Sequence, residues 1–339
     1  MDDGTGARAH ERRSALVVGS HTMAYLVLAR KYRPQRFEDV VGQEHVTRTL
    51  QSAVRTGRLG HAFLFSGPRG VGKTTTARLL AKALNCEHGP TPDPCAACVP
   101  CTTIAKGSSA DVLEIDGASH RGIAEVRSVQ ELVGYRPSEM RFRVCTIDEV
   151  HMLTNEAFNA LLKLLEEPPA HVKFILATTE PHKVPLTIAS RCQRYAFRLV
   201  PHETIRTNLE AIVAQEGATA ESTAIDLVAR CARGSLRDGQ SLLDQALASA
   251  PDGLTAKAVQ DLLGVLDPSR LGTCLAAILS GDGKRVFAEV DAFIAEGVEI
   301  SVLYDALLEL LSPRQMKPND TCGSSPPRRW RSAAPATPA

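Results

Sequence analysis

The run Gly67-Pro68-Arg69-Gly70-Val71-Gly72-Lys73-Thr74 fits the P-loop pattern G-x-x-x-x-G-K-[ST] in full. Glycines at these positions let successive backbone N–H groups curl around phosphate oxygens. Lys73 is long enough to reach a β- and a γ-phosphate, and the Thr74 hydroxyl suits Mg2+. The cradle is read as Gly67 through Thr75, with ATP and Mg2+ as its ligands. An apolar run precedes it and a helical pattern follows, a context that a chance glycine-rich turn lacks.

A second group follows in Val144-Cys145-Thr146-Ile147-Asp148-Glu149, an apolar run that ends in two carboxylates. Phosphoryl transfer needs a carboxylate to hold Mg2+, directly or through water, and another group to polarise the attacking water. Asp148 and Glu149 fit those two tasks. Alone, such a pair is often a solvated strand end; downstream of a full P-loop in one sheet it gains a chemical role.

The third group is Cys86-x8-Cys95-x2-Cys98-x2-Cys101. Four thiolates in a short loop suit a tetrahedral Zn2+. The bacterial ferredoxin run needs a further cysteine separated from the third by three residues and followed by proline; that position, 105, is alanine here. Four reduced surface thiols are the plainer alternative. Zinc is favoured because the cysteines crowd a proline-rich insertion with almost nothing apolar to pack. A closed set of four thiolates leaves no position for substrate, so its expected role is structural.

The elements that must position these groups alternate. Residues 62–200 place β-rich runs (Ala62–Phe65, Asp111–Asp116, Arg143–Ile147, Val172–Thr178, Arg194–Leu199) between helical patterns such as Thr75–Asn85 and Asn155–Glu167. In the latter, Leu161, Leu164 and Leu165 share a face, and Pro168-Pro169 ends the helix. This alternation predicts an α/β fold with a parallel five-stranded sheet covered on both faces. After residue 200 only helices are predicted: Glu203–Gln215, Thr223–Ala232, Leu236–Ala250 and Ala256–Leu263, punctuated by Gly217, Gly234 and Pro251. A third helical stretch runs from about Ser269 to Leu311. The expected segmentation is a leader at 1–22, a nucleotide-binding domain at 23–200 with the cysteine module at 86–101, a helical lid at 201–266, a partial helical collar at 267–312 and a tail at 313–339. The leader and the Pro-, Ser-, Ala- and Arg-rich tail read as disordered.

Composition narrows the function classes. The chain has 339 residues, 44% hydrophobic and 23% charged, as expected of a globular protein with more than one core. A net charge of +1 does not coat it in cations, so contact with DNA calls for a local patch or an assembly. Aromatic content of 4% argues against base stacking as the main binding device. Nine unevenly placed cysteines fit reduced thiols in a cytosol rather than a secreted disulfide framework. Arg12 and Arg13 precede a partly apolar stretch, Ser14–Ala29, that Ser20, His21 and Thr22 interrupt; it is too short to span a membrane. Met23 is an alternative start. A cytoplasmic protein with no membrane association is expected.

Further segments carry a family resemblance. Ala29-Arg30-Lys31-Tyr32-Arg33-Pro34, then Phe37 and Val41-Gly42-Gln43, resemble the N-terminal adenine-side segment of the gamma/tau subunits of bacterial DNA polymerase III clamp loaders. His61–Leu84, the four cysteines, Glu114–Ser119, Ile147–Leu153, Phe158–Lys163 and Leu165–Pro169 resemble further motifs of that family. The resemblance covers roughly residues 23–311, densest to about 245.

It implies a AAA+ P-loop NTPase with a zinc insertion, a lid and a collar. It also implies an ATPase within a DNA-directed DNA polymerase holoenzyme, which loads the sliding clamp onto primer–template DNA beside other clamp-loader subunits in a hetero-oligomer. ATP binding would open the clamp and grip DNA, and hydrolysis would release both. Ala177-Thr178-Thr179 is similar to the sensor-1 strand end, with Thr179 sensing the γ-phosphate. Ser190-Arg191-Cys192 is similar to the Ser-Arg-Cys motif, which makes Arg191 a finger offered to a neighbour's ATP. Gly234-Ser235-Leu236-Arg237-Asp238 is similar to the sensor-2 helix, which puts Arg237 on nucleotide in its own subunit. The tail departs from the family pattern, so a truncated or frameshifted frame with weak self-assembly is expected. An assembly-deficient ATP-binding fragment, another AAA+ DNA-remodelling ATPase and a non-hydrolysing structural subunit are the alternatives. The cysteine insertion and Ser-Arg-Cys weigh against the second, and the intact Lys73, Thr74, Asp148 and Glu149 against the third.

Overall fold

Strand β1 (Ala62–Ser66) explains the architecture in miniature. Side chains alternate across a strand, so Phe63 and Phe65 enter one core while Ala62 and Leu64 enter another, and all four are buried. Only a sheet covered on both faces accommodates that. The computed structural model describes residues 25–251, 253–264 and 266–311. The expected leader at 1–22, the tail at 313–339, Met23 and Cys322 lie outside them.

The sheet has five parallel strands in the order β2-β3-β4-β1-β5, with β2 at Val112–Asp116, β3 at Arg143–Asp148, β4 at Val172–Thr178 and β5 at Gln193–Ala196. Asp116 pairs in register with Asp148, and Ser66 with Thr178. The carboxyl ends of β1 to β4 therefore meet along one edge, the edge at which open α/β sheets bind ligands.

Fourteen α-helices are described, besides three short 3-10 turns. Among them α1 (Leu28–Lys31), α2 (Glu44–Arg55), α3 (Lys73–Asn85), α4 (Val99–Lys106), α5 (Ile123–Val133), α6 (Asn155–Glu166) and α7 (Leu186–Ala189) are interleaved with the strands or precede them. Helix α3 carries Ala77, Leu79, Leu80, Ala81, Ala83 and Leu84 into the first core, so apolar contact surrounds it. Its most buried cation, Lys82, donates from Nζ to Gln35 Oε1 at 2.5 Å. The second core sits under α5 and α6 and includes Val126, Val129, Val133, Phe158 and Leu161. Thr154 caps α6 by accepting from the Ala157 N–H at 3.3 Å. Helices α1, α2, α4, α5 and α7 were not among the predicted elements.

Strand β5 stops at Ala196, short of the expected Leu199. The buried Gln43 carboxamide takes the place of a strand neighbour: its Nε2 donates to Arg198 O at 2.7 Å and its Oε1 accepts from Arg198 N at 3.1 Å. Helix α3 begins at Lys73 rather than Thr75.

The remaining helices are α8 (His202–Glu216), α9 (Ser222–Cys231), α10 (Leu236–Ser249), α11 (Ala256–Leu263), α12 (Pro268–Ser280), α13 (Gly283–Ala295) and α14 (Ile300–Leu311). The chain divides into two compact units. One comprises the sheet region up to Ile205 with Ala232–Asp244; the other comprises Arg206–Cys231 and the residues from Gln245 on. In the second unit α9 packs on α11, and Ala220 bridges Leu254. Helices α12 to α14 gather Leu266, Leu271, Phe293 and Leu303 into their own small core. Among the described residues, no helix is long and apolar enough to cross a membrane.

Candidate nucleotide site and cysteine cluster

The P-loop leaves β1 at the ligand edge, and the Gly67 N–H donates to Thr178 O at 3.1 Å. Gly67, Gly70 and Gly72 have φ of 146°, 72° and 105°, conformations that side-chain-bearing residues rarely adopt. They turn the loop into the N-terminus of α3, where free N–H groups and the helix dipole favour an anion. A cavity of about 490 Å³ opens there. Arg69 through Thr75 line it, with Asp148 and Glu149 from the end of β3 and Arg237 from α10. The Arg237 N–H donates to Gly70 O at 3.2 Å, which fixes α10 against the loop.

Within the site Lys73, Asp148 and Glu149 each have an uncharged hydrogen-bond partner. Lys73 Nζ donates to Gly67 O at 2.8 Å and Pro68 O at 2.7 Å. Burial lowers its pKa, opposed by the charges of Glu149 and Asp148. The Thr74 hydroxyl donates to Asp148 Oδ2 at 2.6 Å, so the two groups expected at Mg2+ are already adjacent. Glu149 Oε2 accepts from the Thr179 hydroxyl at 2.8 Å and the Thr179 N–H at 3.2 Å. Glu149 itself stands at φ 46°, ψ 46°, the left-handed region, which costs a non-glycine residue about 1–3 kcal/mol. Gly117 accommodates this turn: a Cβ there would lie 2.7 Å from Glu149 O and 2.9 Å from Asp148 O.

Residues beyond those given a role also line the cavity. Arg33, Pro34, Val40 and Val41 come from the N-terminal segment, Asp116 and Ala118 from the end of β2, and Gln240 from α10. Burial and the nearby Arg78 charge lower the Arg33 pKa, and Arg237 and Arg30 add to the same cationic neighbourhood while Glu114 opposes them. Such a cluster attracts phosphates. Gln240 stands three residues after Arg237 on one helix face, and that spacing was the available signal.

Thr179 is not among the lining residues and reaches the site through Glu149. Arg191 is not among them either. Its Nη2 donates to Glu166 Oε1 at 2.7 Å and its Nη1 to Thr187 O at 2.7 Å.

At the other end of α3, Cys86 is the helix C-cap, while Cys98 is the N-cap of α4 and Cys101 lies inside α4. With Cys95, their sulfur atoms all lie within 4.8 Å of one another. Zinc bound at about 2.3 Å to four tetrahedral sulfurs sets their spacing at about 3.8 Å, so the cluster fits this ion. Backbone N–H groups of Ala97 and Cys98 draw the Cys95 thiol down to about 6, and burial pushes the Cys101 thiol up.

Sheet order, P-loop and flanking helices define a AAA+ P-loop ATPase fold. The Thermotoga maritima RuvB structure, described as a Holliday junction branch migration motor, matches with a TM-score of 0.53 over 84% of this chain and 94% of that one. At 19% identity this likeness speaks for the fold alone. Three family models match: "DNA polymerase III, delta subunit" over residues 42–201, "DNA polymerase III clamp loader subunit, ATPase lid domain" over 204–252, and "DNA polymerase III subunits gamma and tau domain III" over 254–316. DNA polymerase III subunit tau of Escherichia coli K12 is 49% identical over 289 residues, 85% of this chain and 45% of that one. DNA polymerase III subunit gamma of Buchnera aphidicola is 42% identical over 289 residues, 85% of this chain and 80% of that one. The chain belongs to the gamma/tau family of DNA polymerase III clamp-loader subunits. It spans about half the length of the tau relatives it matches.

Proposed function

We propose that the chain is an ATP-driven motor subunit of the replicative clamp loader, binding and hydrolysing ATP to place the sliding clamp on primer–template DNA in the bacterial cytoplasm. The convergence of Lys73, Thr74, Asp148, Glu149 and Arg237 on one cavity carries this reading, in a chain of this family. In it, P-loop amides from Gly67 to Thr75 and Lys73 hold the phosphates. Thr74 and Asp148 hold Mg2+, which when bound neutralises charge on the β- and γ-phosphates. Glu149 orients and polarises the attacking water. Thr179 senses the γ-phosphate, Arg237 contacts nucleotide from its own subunit, and Arg191 completes a site on a neighbouring subunit. The partners are other clamp-loader subunits, the clamp and DNA.

The segmentation at 23–200, 201–266 and 267–312 then separates nucleotide-binding, lid and collar tasks. Extending the lid to 266 keeps α11 with α9, against which it packs, although the domain III model begins at residue 254. Cys86, Cys95, Cys98 and Cys101 hold a structural Zn2+ that ties the end of α3 to α4.

Calorimetry tests the site. Lys73→Ala is expected to abolish ATP binding, and Glu149→Gln to bind ATP while hydrolysing it poorly; unchanged affinity in Lys73→Ala overturns the assignment. Elemental analysis is expected to find about one zinc per chain. Iron with a visible absorbance band would overturn the zinc reading.

A further inference from the structure

His151 has no part in the scheme above, yet it is buried beside its reactive end. It follows β3 by three residues, and its side chain is 5% exposed. Nδ1 lies 3.0 Å from Thr178 Oγ1 and 3.4 Å from Glu149 Oε2, and Nε2 lies 3.3 Å from Glu180 Oε1. One imidazole thus touches the water-activating loop after β3 and the turn after β4. Those strands are neighbours in the sheet but their ends are far apart in sequence.

Both ring nitrogens face polar groups. Thr178 Oγ1 accepts from the Glu180 N–H at 3.0 Å and also shares a hydrogen bond with His151 Nδ1. Nε2 lies within ion-pair distance of the Glu180 carboxylate. The Glu180 pKa is lowered, chiefly by a hydrogen bond from Lys183, whose Nζ stands 2.8 Å from Oε2, so a carboxylate faces the His151 ring. His151 thus contacts both ends of the turn Thr178-Thr179-Glu180, by a hydrogen bond at Thr178 and an ion-pair contact at Glu180. Thr179, at its centre, is the residue whose N–H and hydroxyl hold Glu149 Oε2.

We propose that His151 is a positioning residue for ATP hydrolysis, fixing the Thr178–Glu180 turn so that Thr179 presents the Glu149 carboxylate in one orientation. It acts through the turn and touches no phosphate, and it rests on the proposed role of Glu149. A carboxylate that must meet water in line with a phosphate is sensitive to small displacements, and a misplacement near 1 Å costs about a hundredfold in rate.

The test uses the full chain and compares His151→Leu, which keeps bulk and loses both polar links, with His151→Gln. The glutamine carboxamide can donate to Glu180 and accept from Thr178. His151→Leu is expected to lower kcat for ATP by about tenfold to a hundredfold, with KM and calorimetric ATP affinity nearly unchanged. His151→Gln is expected to recover most of the rate. Glu180→Ala breaks the same link from the more exposed side. It should lower kcat in the same direction and add little when combined with His151→Leu, a readout that survives if the leucine variant folds poorly. Equal loss in the leucine and glutamine variants, or a drop in affinity and melting temperature with kcat intact, overturns the proposal. Glu149→Gln in the same assay separates the two claims. If it is inactive while His151→Leu is normal, only the positioning role falls. If it is active, the assignment of Glu149 falls.

Discussion

Two arginine–carboxylate pairs in the sheet region have the same charges and opposite surroundings. Arg143 Nη2 meets Asp111 Oδ1 at 3.0 Å, with side chains 8% and 1% exposed. Asp111 also accepts from the N–H groups of Ser138, Glu139 and Met140, and Arg143 donates to the carbonyls of Leu132, Tyr135 and Arg136. Arg191 meets Glu166 at 2.7 Å, with side chains 36% and 51% exposed, and its other hydrogen bond goes to Thr187 O. Removing one member of a buried pair strands a desolvated charge. An exposed pair exchanges its partner for water at little cost. The first arrangement locks the start of β3 to the residues that follow α5. The second leaves a half-exposed guanidinium whose carboxylate partner water can replace, as the proposed reach to another subunit's phosphate would require.

The sharpest way to break this contrast is Arg191→Ala in a complex with partner subunits, clamp and DNA. Fingers of this kind contribute about 10³–10⁵ in rate, so stimulated hydrolysis should fall by that order. If, as proposed, Lys73 and the P-loop amides hold the phosphates, ATP affinity should stay near that of the parent. The isolated chain should lose no more than about 1 kcal/mol of stability. Equal loss of basal hydrolysis in isolated and assembled chains would mean that Arg191 acts within its own chain.

Asp111→Asn should do the reverse, costing about 3–5 kcal/mol of stability while leaving hydrolysis per folded molecule intact. It also carries a pH signature. Burial raises the Asp111 pKa, but the Glu139 and Ser138 N–H groups, Arg143 and the Met140 N–H outweigh it, and the net shift is downward. A carboxyl depressed in the folded state contributes stability that is present above its unfolded pKa, about 3.9. That contribution is lost as pH falls through the lower folded value. Denaturant midpoints taken from neutral pH downward should therefore fall more steeply below about pH 4 in the parent than in Asp111→Asn. Parallel curves would detach the pair from acid stability.

What the sequence disclosed follows the same division. Strands buried on both faces were legible because apolar runs such as Ala62–Phe65 admit few other readings. Helix α5 was not, since Val126, Val129 and Val133 give its buried stripe a β-branched composition. Helix α2 hides a narrow stripe, Val46, Leu50 and Val54, among polar residues. Helix α4 begins in a cysteine loop with Pro100 in its first turn, a position that tolerates proline. In the site, Lys73 and Asp148 announce themselves because their chemistry depends on local spacing. The Glu166 partner of Arg191, the Gln43 clamp on Arg198 and the His151–Glu180 contact depend on which segments meet. Residue types alone do not encode that adjacency.

Glu166→Ala should produce the smallest change, and it separates storage of the arginine from its direction. Half-exposed ion pairs contribute about 0–1 kcal/mol, because solvent screens them and ordering two long side chains costs entropy. The stability loss should therefore stay within that range and be erased by salt, which screens exposed charges. Arg191 keeps its bond to Thr187 O in the variant, so its backbone and half of its guanidinium contacts are unchanged. If Glu166 only keeps the guanidinium occupied, releasing it leaves Arg191 free to reach a neighbour's phosphate, and assembled hydrolysis should equal or modestly exceed that of the parent. If Glu166 instead aims Arg191, the variant should lose stimulated hydrolysis as Arg191→Ala does, and the two substitutions combined should be no worse than either alone. Measuring DNA- and clamp-stimulated hydrolysis for the two single variants and the double variant at low and high salt decides between these outcomes. A loss of several kcal/mol in the isolated Glu166→Ala chain would show that the exposed pair is structural after all, and would remove the contrast with Asp111 and Arg143.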